Sequence, residues 1–138
     1  SFKKTGQRRD LNREKFEANK LLEVLKNFNS PASKNISYLT HIVKVRSRLK
    51  AFHPEASMEC ISTNIANCVI LKRGLNEDSV YVICNMSNKF LSISPLNQIN
   101  SLDLTSDKRL LDNISGSYFN TDTFELNPYQ VVWLTLAD

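Results

Sequence analysis

The chain has 138 residues, of which 41% are hydrophobic and 23% are charged, and its formal net charge is +4. This length suffices for one ordinary core, or for one small domain with an appendage, and it excludes a many-domain protein. No run of residues approaches the roughly 20 consecutive apolar positions of a membrane helix, and the first residues lack the apolar centre of a signal peptide. We therefore expect a soluble, cytoplasmic protein.

Basic residues are concentrated in the first part of the chain. Residues 1 to 50 contain 13 of the 18 lysines and arginines but 4 of the 14 acidic residues, so this segment has a net charge of +9 and the remainder −5. A segment of this charge can attract phosphate groups. The solvated faces of two amphipathic helices would carry the same charge, and the apolar pattern favours this second interpretation.

Two helices are predicted in this basic segment. Apolar residues recur at helical spacing in FEANKLLEVLKNFN and predict a first helix from about Glu17 to Asn27. Ser30 followed by Pro31 is typical of a helix N-cap with proline in the first turn. The second helix should end near residues 50 to 52, before a His-Pro pair. Its wide apolar stripe requires a partner surface and consists of Tyr38, Leu39, Ile42, Val43, Val45 and Leu49.

After residue 54 the apolar residues alternate, which predicts short antiparallel strands in two layers. The runs are SMECIST, CVILKRG, SVYVICNMS, KFLSISP, TFELN and QVVWLTLA, whereas residues 95 to 120 are more polar and only weakly stranded. The predicted fold class is α+β, with an N-terminal helical segment followed by a small antiparallel β-sandwich. The residues expected to point into its core are Val69, Leu71, Val80, Val82, Leu91, Val131 and Trp133.

Three cysteines, Cys60, Cys68 and Cys84, lie in apolar, strand-like surroundings. Their odd number and the missing secretion signal favour free, buried thiols in a reducing compartment. A disulfide between Cys60 and Cys68 across a hairpin is the alternative. The three N-x-S sequons count for little in such a compartment.

The sequence contains no complete active site. His41 lies on the second predicted helix and His53 lies beside a proline, and neither has a carboxylate or cysteine at metal-ligand spacing. The three glycines form no phosphate loop and no nucleophile elbow. We therefore expect no catalytic residue, no metal and no cofactor in this chain.

Three motifs, in their order along the chain, resemble a known family. TGQRRDLNREKF (residues 5–16), AFHPEAS (51–57) and NPYQVVWL (127–134) together resemble the C-terminal third of sucrose phosphorylase-like enzymes of the α-amylase superfamily, glycoside hydrolase family 13. The AFHP form is closer to relatives that act on sucrose 6-phosphate or glucosylglycerate. The resemblance implies that residues 1–53 are the remnant of the end of a (β/α)8 barrel and that residues 54–138 are the C-terminal β-sandwich domain.

The resemblance also implies where the chemistry of the parent enzyme lies. Family members use an Asp nucleophile, a Glu acid/base and a second Asp, all upstream of these motifs, and the retaining reaction needs two carboxylates about 5 Å apart. This chain has no candidate for that pair. Arg9 matches a position on the acceptor and phosphate side of the pocket, where a guanidinium can hold oxygens bidentately. The other matching residues, which position the loop through bonds to the backbone, are Asp10, Asn12 and Arg13.

The first hypothesis is a C-terminal fragment of a retaining glycoside phosphorylase or glycosyltransferase, structural and not catalytic by itself, whose parent binds phosphate and a sugar or sugar phosphate. The alternative is a stand-alone binding module with a basic helical arm for an anionic partner. Such a module needs exposed aromatic residues among its basic ones, whereas Phe16, Phe28 and Tyr38 are predicted to face a core.

A third hypothesis, a sugar-binding sandwich, depends on Trp133 as a stacking residue, although its place in an alternating run favours burial. We expect neither nucleic acid nor a membrane as a partner. We also expect a homodimer, or an exchanged helix, built on residues 1–50, because an apolar stripe without its barrel requires another surface.

Overall fold

A computed structural model of the chain describes residue 6, residues 17–95 and residues 109–137. The chain divides into two compact units, residues 1–41 and residues 42–138. The boundary between residues 53 and 54, which the change in apolar period predicts, stays a prediction. None of the helices in the described ranges is long and apolar enough to cross a membrane.

The two predicted helices are present. Helix α1 spans Ala18–Lys26 and helix α2 spans Pro31–Arg48. The Ser30 hydroxyl accepts a hydrogen bond from the backbone N–H of Ser33 at 3.1 Å and donates one to the Val24 carbonyl at 2.9 Å. Ser30 is therefore the N-cap of α2, as the Ser-Pro pair predicts.

The helical part of the first unit leaves much of its apolar surface exposed. Helix α1 has no buried residue. Phe28 and Tyr38, predicted to face a core, are 80% and 57% exposed. That prediction was wrong because it took helical spacing as a sign of burial, and spacing alone does not supply the surface that covers a stripe. Other exposed apolar residues of this unit are Leu21, Leu22, Val24, Ile36 and Leu39.

The second helix ends slightly before its predicted end. Leu49 has an extended backbone (φ −94°, ψ 109°) and separates α2 from a 3-10 helix at Lys50–Phe52. The Arg46 side chain spans this break, since its Nη2 donates a hydrogen bond to the Phe52 carbonyl at 3.3 Å. The His-Pro pair therefore ends the 3-10 helix rather than α2 itself.

Within residues 42–95 and 109–137, the second unit contains two antiparallel sheets, which confirms the predicted α+β fold with a small sandwich. Six strands pair in the order β1-β2-β3-β8-β5-β6, and β4 pairs with β7. The strands are β1 (Met58–Ile61), β2 (Cys68–Arg73), β3 (Val80–Asn85), β4 (Leu91–Ile93), β5 (Arg109–Asp112), β6 (Tyr118–Asn120), β7 (Phe124–Leu126) and β8 (Val131–Ala137).

Two strands lie where the sequence predicts little strand. Strand β5 carries a charged residue at each end, Arg109 and Asp112, and β6 has three residues. Neither contains the alternating run that predicts a strand. Strand β5 is stabilised by its pairing with β8, whose own sequence is a clear alternating run. In this pairing Leu110 lies opposite Leu136.

The core lies between the two sheets. One row of side chains crosses four strands, because Ile61, Ile70, Ile83 and Val132 are successive cross-strand partners. All four are buried. The same buried cluster contains Tyr81, Leu110 and Leu134 from the six-stranded sheet and Ile93, Phe124 and Leu126 from the two-stranded sheet.

Most of the predicted core residues lie on the opposite face of the six-stranded sheet. Val80 is buried and Leu91 packs against the core, but Val69 and Val131 are 39% and 40% exposed. The prediction failed because β2, β3 and β8 are apolar on both faces, so alternation cannot select the face that is buried. We call this opposite face the outer face. It carries Cys60, Val69, Leu71, Arg73, Val80, Val82, Cys84, Val131 and Trp133.

Candidate functional site

The four residues that the family motif assigns to the active-site loop, Arg9, Asp10, Asn12 and Arg13, lie outside the described residues, and their roles stay predictions. Gly6 of the same motif is described. It is exposed and has a left-handed backbone (φ +63°). This conformation favours glycine over residues with a Cβ atom.

The AFHPEAS motif is held against the six-stranded sheet by an arginine. Arg73, on β2, donates from Nε to the Ala51 carbonyl at 3.2 Å and from Nη2 to the His53 carbonyl at 3.0 Å. The Phe52 ring lies 4.5 Å from the Trp133 ring, centroid to centroid. Ala51 is almost fully buried. This motif is therefore a packed joint between the end of the helical segment and the sandwich, and we call it the junction.

A second contact continues the junction along β2. The backbone N–H of Gly74 donates to the Ser57 carbonyl at 3.0 Å, and the Ser57 hydroxyl donates to the Gly74 carbonyl at 3.1 Å. Gly74 has φ +82°, and its Cα hydrogen faces Ala51. Lys50 and Asp78 form an exposed ion pair at 3.3 Å, which contributes little.

Asp112 is a buried carboxylate, but its oxygens are fully engaged. Oδ1 accepts hydrogen bonds from the backbone N–H groups of Ile114 (3.1 Å) and Trp133 (2.9 Å). Oδ2 accepts from the N–H and the hydroxyl of Ser115, at 3.1 and 2.7 Å. Because these bonds fix the β5–β6 turn to strand β8, Asp112 has a structural role rather than a catalytic one.

Two of the three N-x-S sequons use their asparagine side chains inside the fold. Asn85 is buried, and its Nδ2 donates to the carbonyls of Lys89 (2.7 Å) and Asn127 (2.9 Å). Asn113 donates from Nδ2 to the Trp133 carbonyl and to the Thr135 hydroxyl, each at 3.0 Å. These two amides hold turns together, whereas Asn35 is exposed on α2.

The part of the chain that the structure describes contains no group of three or more His, Cys, Asp or Glu residues that could hold a metal ion. His53 caps the turn at the junction, because its Nδ1 accepts a hydrogen bond from the Glu55 backbone N–H at 3.3 Å. His41 is exposed on α2.

All three cysteines are free thiols, as predicted, but they are not equally buried. Cys60 is exposed, whereas Cys68 and Cys84 are half-buried. Burial, together with the neighbouring Cys84, raises the pKa of Cys68 to about 11, and burial raises the pKa of Cys84. The prediction of burial was wrong for Cys60 because this residue lies on the outer face of the edge strand β1.

These environments predict unequal thiol reactivity. At pH 8, iodoacetamide should alkylate Cys60 about tenfold or more faster than Cys68. The raised pKa of Cys68 lowers the fraction of its thiol that is ionised, and its burial limits the access of the reagent to the sulfur. The neutral Cys68 thiol favours the folded state below pH 9, and this contribution should disappear as the pH rises through about 11. Peptide mass spectrometry identifies the modified residue. Cys60→Ser should remove the fast reaction, and equal labelling of Cys68 and Cys60 in the folded chain would contradict the assignment.

The chain is similar to a solved structure and to a curated enzyme. No family model matches the chain. A crystal structure of an Anoxybacillus α-amylase superposes with a TM-score of 0.62 at 16% identity, over 80% of this chain and 24% of the amylase. The fold resembles an α-amylase C-terminal domain. A glucosylglycerate phosphorylase from Allomeiothermus silvanus is 30% identical over 134 residues, which are 96% of this chain and 21% of that enzyme. The chain thus spans about a fifth of the length of this phosphorylase.

The residues that build the junction were only partly visible in the sequence. The AFHP motif marks the position of the junction, but nothing in CVILKRG distinguishes Arg73 from an exposed strand residue. Asp112 belongs to LDNIS, and an Asp-Asn pair is typical of turns whose side chains bond to the backbone. That signal could have located the β5–β6 turn.

Proposed function

We propose that this chain is the C-terminal part of a retaining glycoside phosphorylase of glycoside hydrolase family 13, and that its role in that enzyme is structural. The observation that carries the proposal is the alignment of nearly the whole chain with about a fifth of a glucosylglycerate phosphorylase. The α-amylase-like fold agrees with it. The catalytic carboxylates belong to the remainder of the enzyme, which acts in the cytoplasm.

The substrate of the parent enzyme is proposed from the same likeness. A glucosyl unit would be transferred between phosphate and an acceptor such as glycerate or a sugar phosphate. Arg9 would line the acceptor and phosphate side of that pocket, where its planar guanidinium can bind two oxygens at once. Asp10, Asn12 and Arg13 would hold the loop that presents Arg9.

The 138-residue chain should show no turnover by itself. Retaining transfer requires a nucleophile and an acid/base on opposite sides of the bond that breaks, and Asp112, the buried carboxylate of the described sandwich, is saturated by hydrogen bonds from its own turn and strand β8. Purified chain is incubated with sucrose, sucrose 6-phosphate or glucosylglycerate, with and without phosphate, and the products are measured. Turnover above a heat-denatured control on any substrate would overturn the proposal.

The comparisons lend no support to the alternative of a stand-alone module for an anionic partner, since both point to carbohydrate-active enzymes. The exposed rings of Phe28 and Tyr38 are compatible with such a module. Weak or absent binding of single-stranded RNA at physiological salt would agree with this assessment.

We further propose that the isolated chain forms a homodimer through residues 1–50. Helix α1 buries none of its side chains, and Leu22, Phe28 and Leu39 are exposed apolar residues of the same segment. A large exposed apolar area usually marks an interaction surface. A two-fold pairing of identical helices is the commonest closed arrangement.

Sedimentation equilibrium over a dilution series measures this association. Phe28→Asp should weaken the dimer, because it places a charge in the apolar surface. Tyr129→Asp is the matched control, since Tyr129 is also strongly exposed but belongs to the second unit. A chain that stays monomeric at all concentrations with its helices folded, or a dimer that Phe28→Asp leaves intact, would contradict the proposal.

A further inference from the structure

Two turns meet at one end of the sandwich and expose aromatic side chains. The first, residues 86–90, joins β3 to β4, and the second, residues 127–130, joins β7 to β8. The backbone N–H of Tyr129 donates to the Ser87 carbonyl at 3.0 Å, so the two turns are bonded directly to each other. Phe90 and Tyr129 are each 68% exposed. We call these two turns the tip.

A buried asparagine holds the tip together. The Nδ2 of Asn85 donates to one carbonyl on each turn, that of Lys89 at 2.7 Å and that of Asn127 at 2.9 Å. Its Oδ1 accepts hydrogen bonds from the N–H and the hydroxyl of Ser87, at 3.0 and 2.8 Å. The Oε1 of Gln130 accepts from the backbone N–H of Asn127 at 2.8 Å. The exposed rings therefore stand on backbone that is already fixed, which lowers the entropy that is lost when a ligand binds.

Tyr129 has a backbone conformation that is unusual for a tyrosine. The Gln130 N–H donates to the Asn127 carbonyl at 3.1 Å, Pro128 is the second residue of this turn, and Tyr129, with φ +57°, is the third. These features define a type II turn, whose third position normally holds Gly or Asn. A bulky residue at positive φ is disfavoured, and such outliers cluster at functional sites. Because the ring is mostly exposed, packing among the described residues compensates little of this cost.

The polar groups of the tip are mainly amides. Residues 86–90 and 127–130 contain Asn88, Asn127 and Gln130, a single lysine and no acidic residue. Both asparagines are exposed. An amide can donate and accept hydrogen bonds, as the hydroxyl groups of a sugar require, and an aromatic ring can cover the C–H face of a pyranose. One lysine provides too little charge to favour a polyanion.

We propose that the tip is a surface site for a neutral carbohydrate chain of pyranose units. Tyr129 and Phe90 stack on the sugar rings, and the amides of Asn88 and Asn127 bind the hydroxyl groups. The site is separate from Trp133, whose ring packs on Phe52 at the junction. Binding at the tip goes beyond the proposed structural role and needs no catalytic carboxylate, so its test is independent of the assays of turnover.

Isothermal titration calorimetry of the 138-residue chain with maltoheptaose and with cellohexaose measures the binding and distinguishes α-linked from β-linked glucose. We expect saturable binding of at least one of them. Tyr129→Gly should weaken it about tenfold or more, and Phe90→Ala should also weaken it. Tyr129→Gly should leave the Tm equal or higher, because glycine adopts positive φ without strain. Tyr118→Ala is the matched control, since Tyr118 is 54% exposed on β6, and it should bind like the unchanged chain.

Several outcomes would overturn the proposal. One is the absence of binding by the unchanged chain at about 10 mM of either sugar. Others are binding that Tyr129→Gly and Phe90→Ala leave intact, and a loss of equal size in Tyr118→Ala. A lower Tm of Tyr129→Gly would show that the ring packs within the fold and would contradict the argument from strain. A change in the sedimentation of Tyr129→Gly would assign the ring to a contact between copies of the chain.

Discussion

Replacing Gly74 by alanine should destabilise the second unit by about 2 to 5 kcal/mol. Gly74 has φ +82°, and a left-handed backbone costs a residue with a Cβ about 1 to 2 kcal/mol. The new Cβ would also lie 3.0 Å from the Cβ of Ala51 and 3.0 Å from the Asp78 carbonyl oxygen. Since Ala51 is buried in the junction, only a movement of the backbone can relieve this contact. Such overpacking costs about 1 to 3 kcal/mol more.

Urea denaturation measures the effect, and Gly116→Ala is its control. Gly116 also has positive φ (+75°), but nothing lies within 4 Å of the position of an added Cβ. Its replacement should therefore cost only the backbone preference, about 1 to 2 kcal/mol. Equal losses of stability at the two glycines would show that the approach of Ala51 to Gly74 does not matter, and that the junction is less tightly packed than the structure indicates.

Trp133→Ala should destabilise the second unit by about 2 to 4 kcal/mol. A tryptophan removed from a fully packed interior costs about 3 to 5 kcal/mol, and the half-buried position of Trp133 on the outer face lowers this value. The loss includes the ring contact with Phe52 at 4.5 Å. A double-mutant cycle with Phe52→Ala should therefore give a coupling energy of about 0.5 to 1.5 kcal/mol.

A loss below about 1 kcal/mol on Trp133→Ala would mean that the ring contributes little to packing. The hypothesis of a sugar-stacking tryptophan would then gain support. A coupling energy near zero would remove Phe52 as the partner of Trp133, and with it one of the contacts that define the junction.

The local elements of this fold could be predicted from the sequence because their signals are short-range. The Ser30-Pro31 pair places the start of α2 at the observed residue, and the alternating runs place six of the described strands. Strands β5 and β6 could not be predicted, since they form through pairing with β8 and with each other. Their own sequences are short and contain polar residues.

The choice of the buried face could not be predicted for a different reason. In VYVICN and VVWLTLA both alternating sets are apolar, so the pattern is compatible with either orientation of the sheet. The position of the two-stranded sheet decides between them, because it covers Ile83 and Val132 rather than Val82 and Val131.

The residues of the candidate site also fall into those that a local sequence pattern can identify and those that it cannot. Motif resemblance predicts a role for Arg9 and its loop, which stays a prediction, and it marks the position of the AFHP junction. Both depend on residues that stand together in the sequence. Arg73 and Asp112 act on segments about 20 residues away, at Ala51 and Trp133. Only the strand pairing brings these partners together, so no local pattern identifies them.

The activity of the longer gene product tests the central claim most directly. That product, assayed beside the 138-residue chain, should phosphorolyse glucosylglycerate or sucrose 6-phosphate in a phosphate-dependent reaction, whereas the chain alone should give no product. Substitution of either carboxylate of the predicted pair in the preceding residues should abolish the activity. A longer product that shows no glycoside phosphorolysis or transfer, or a 138-residue chain that turns over either substrate, would contradict the account.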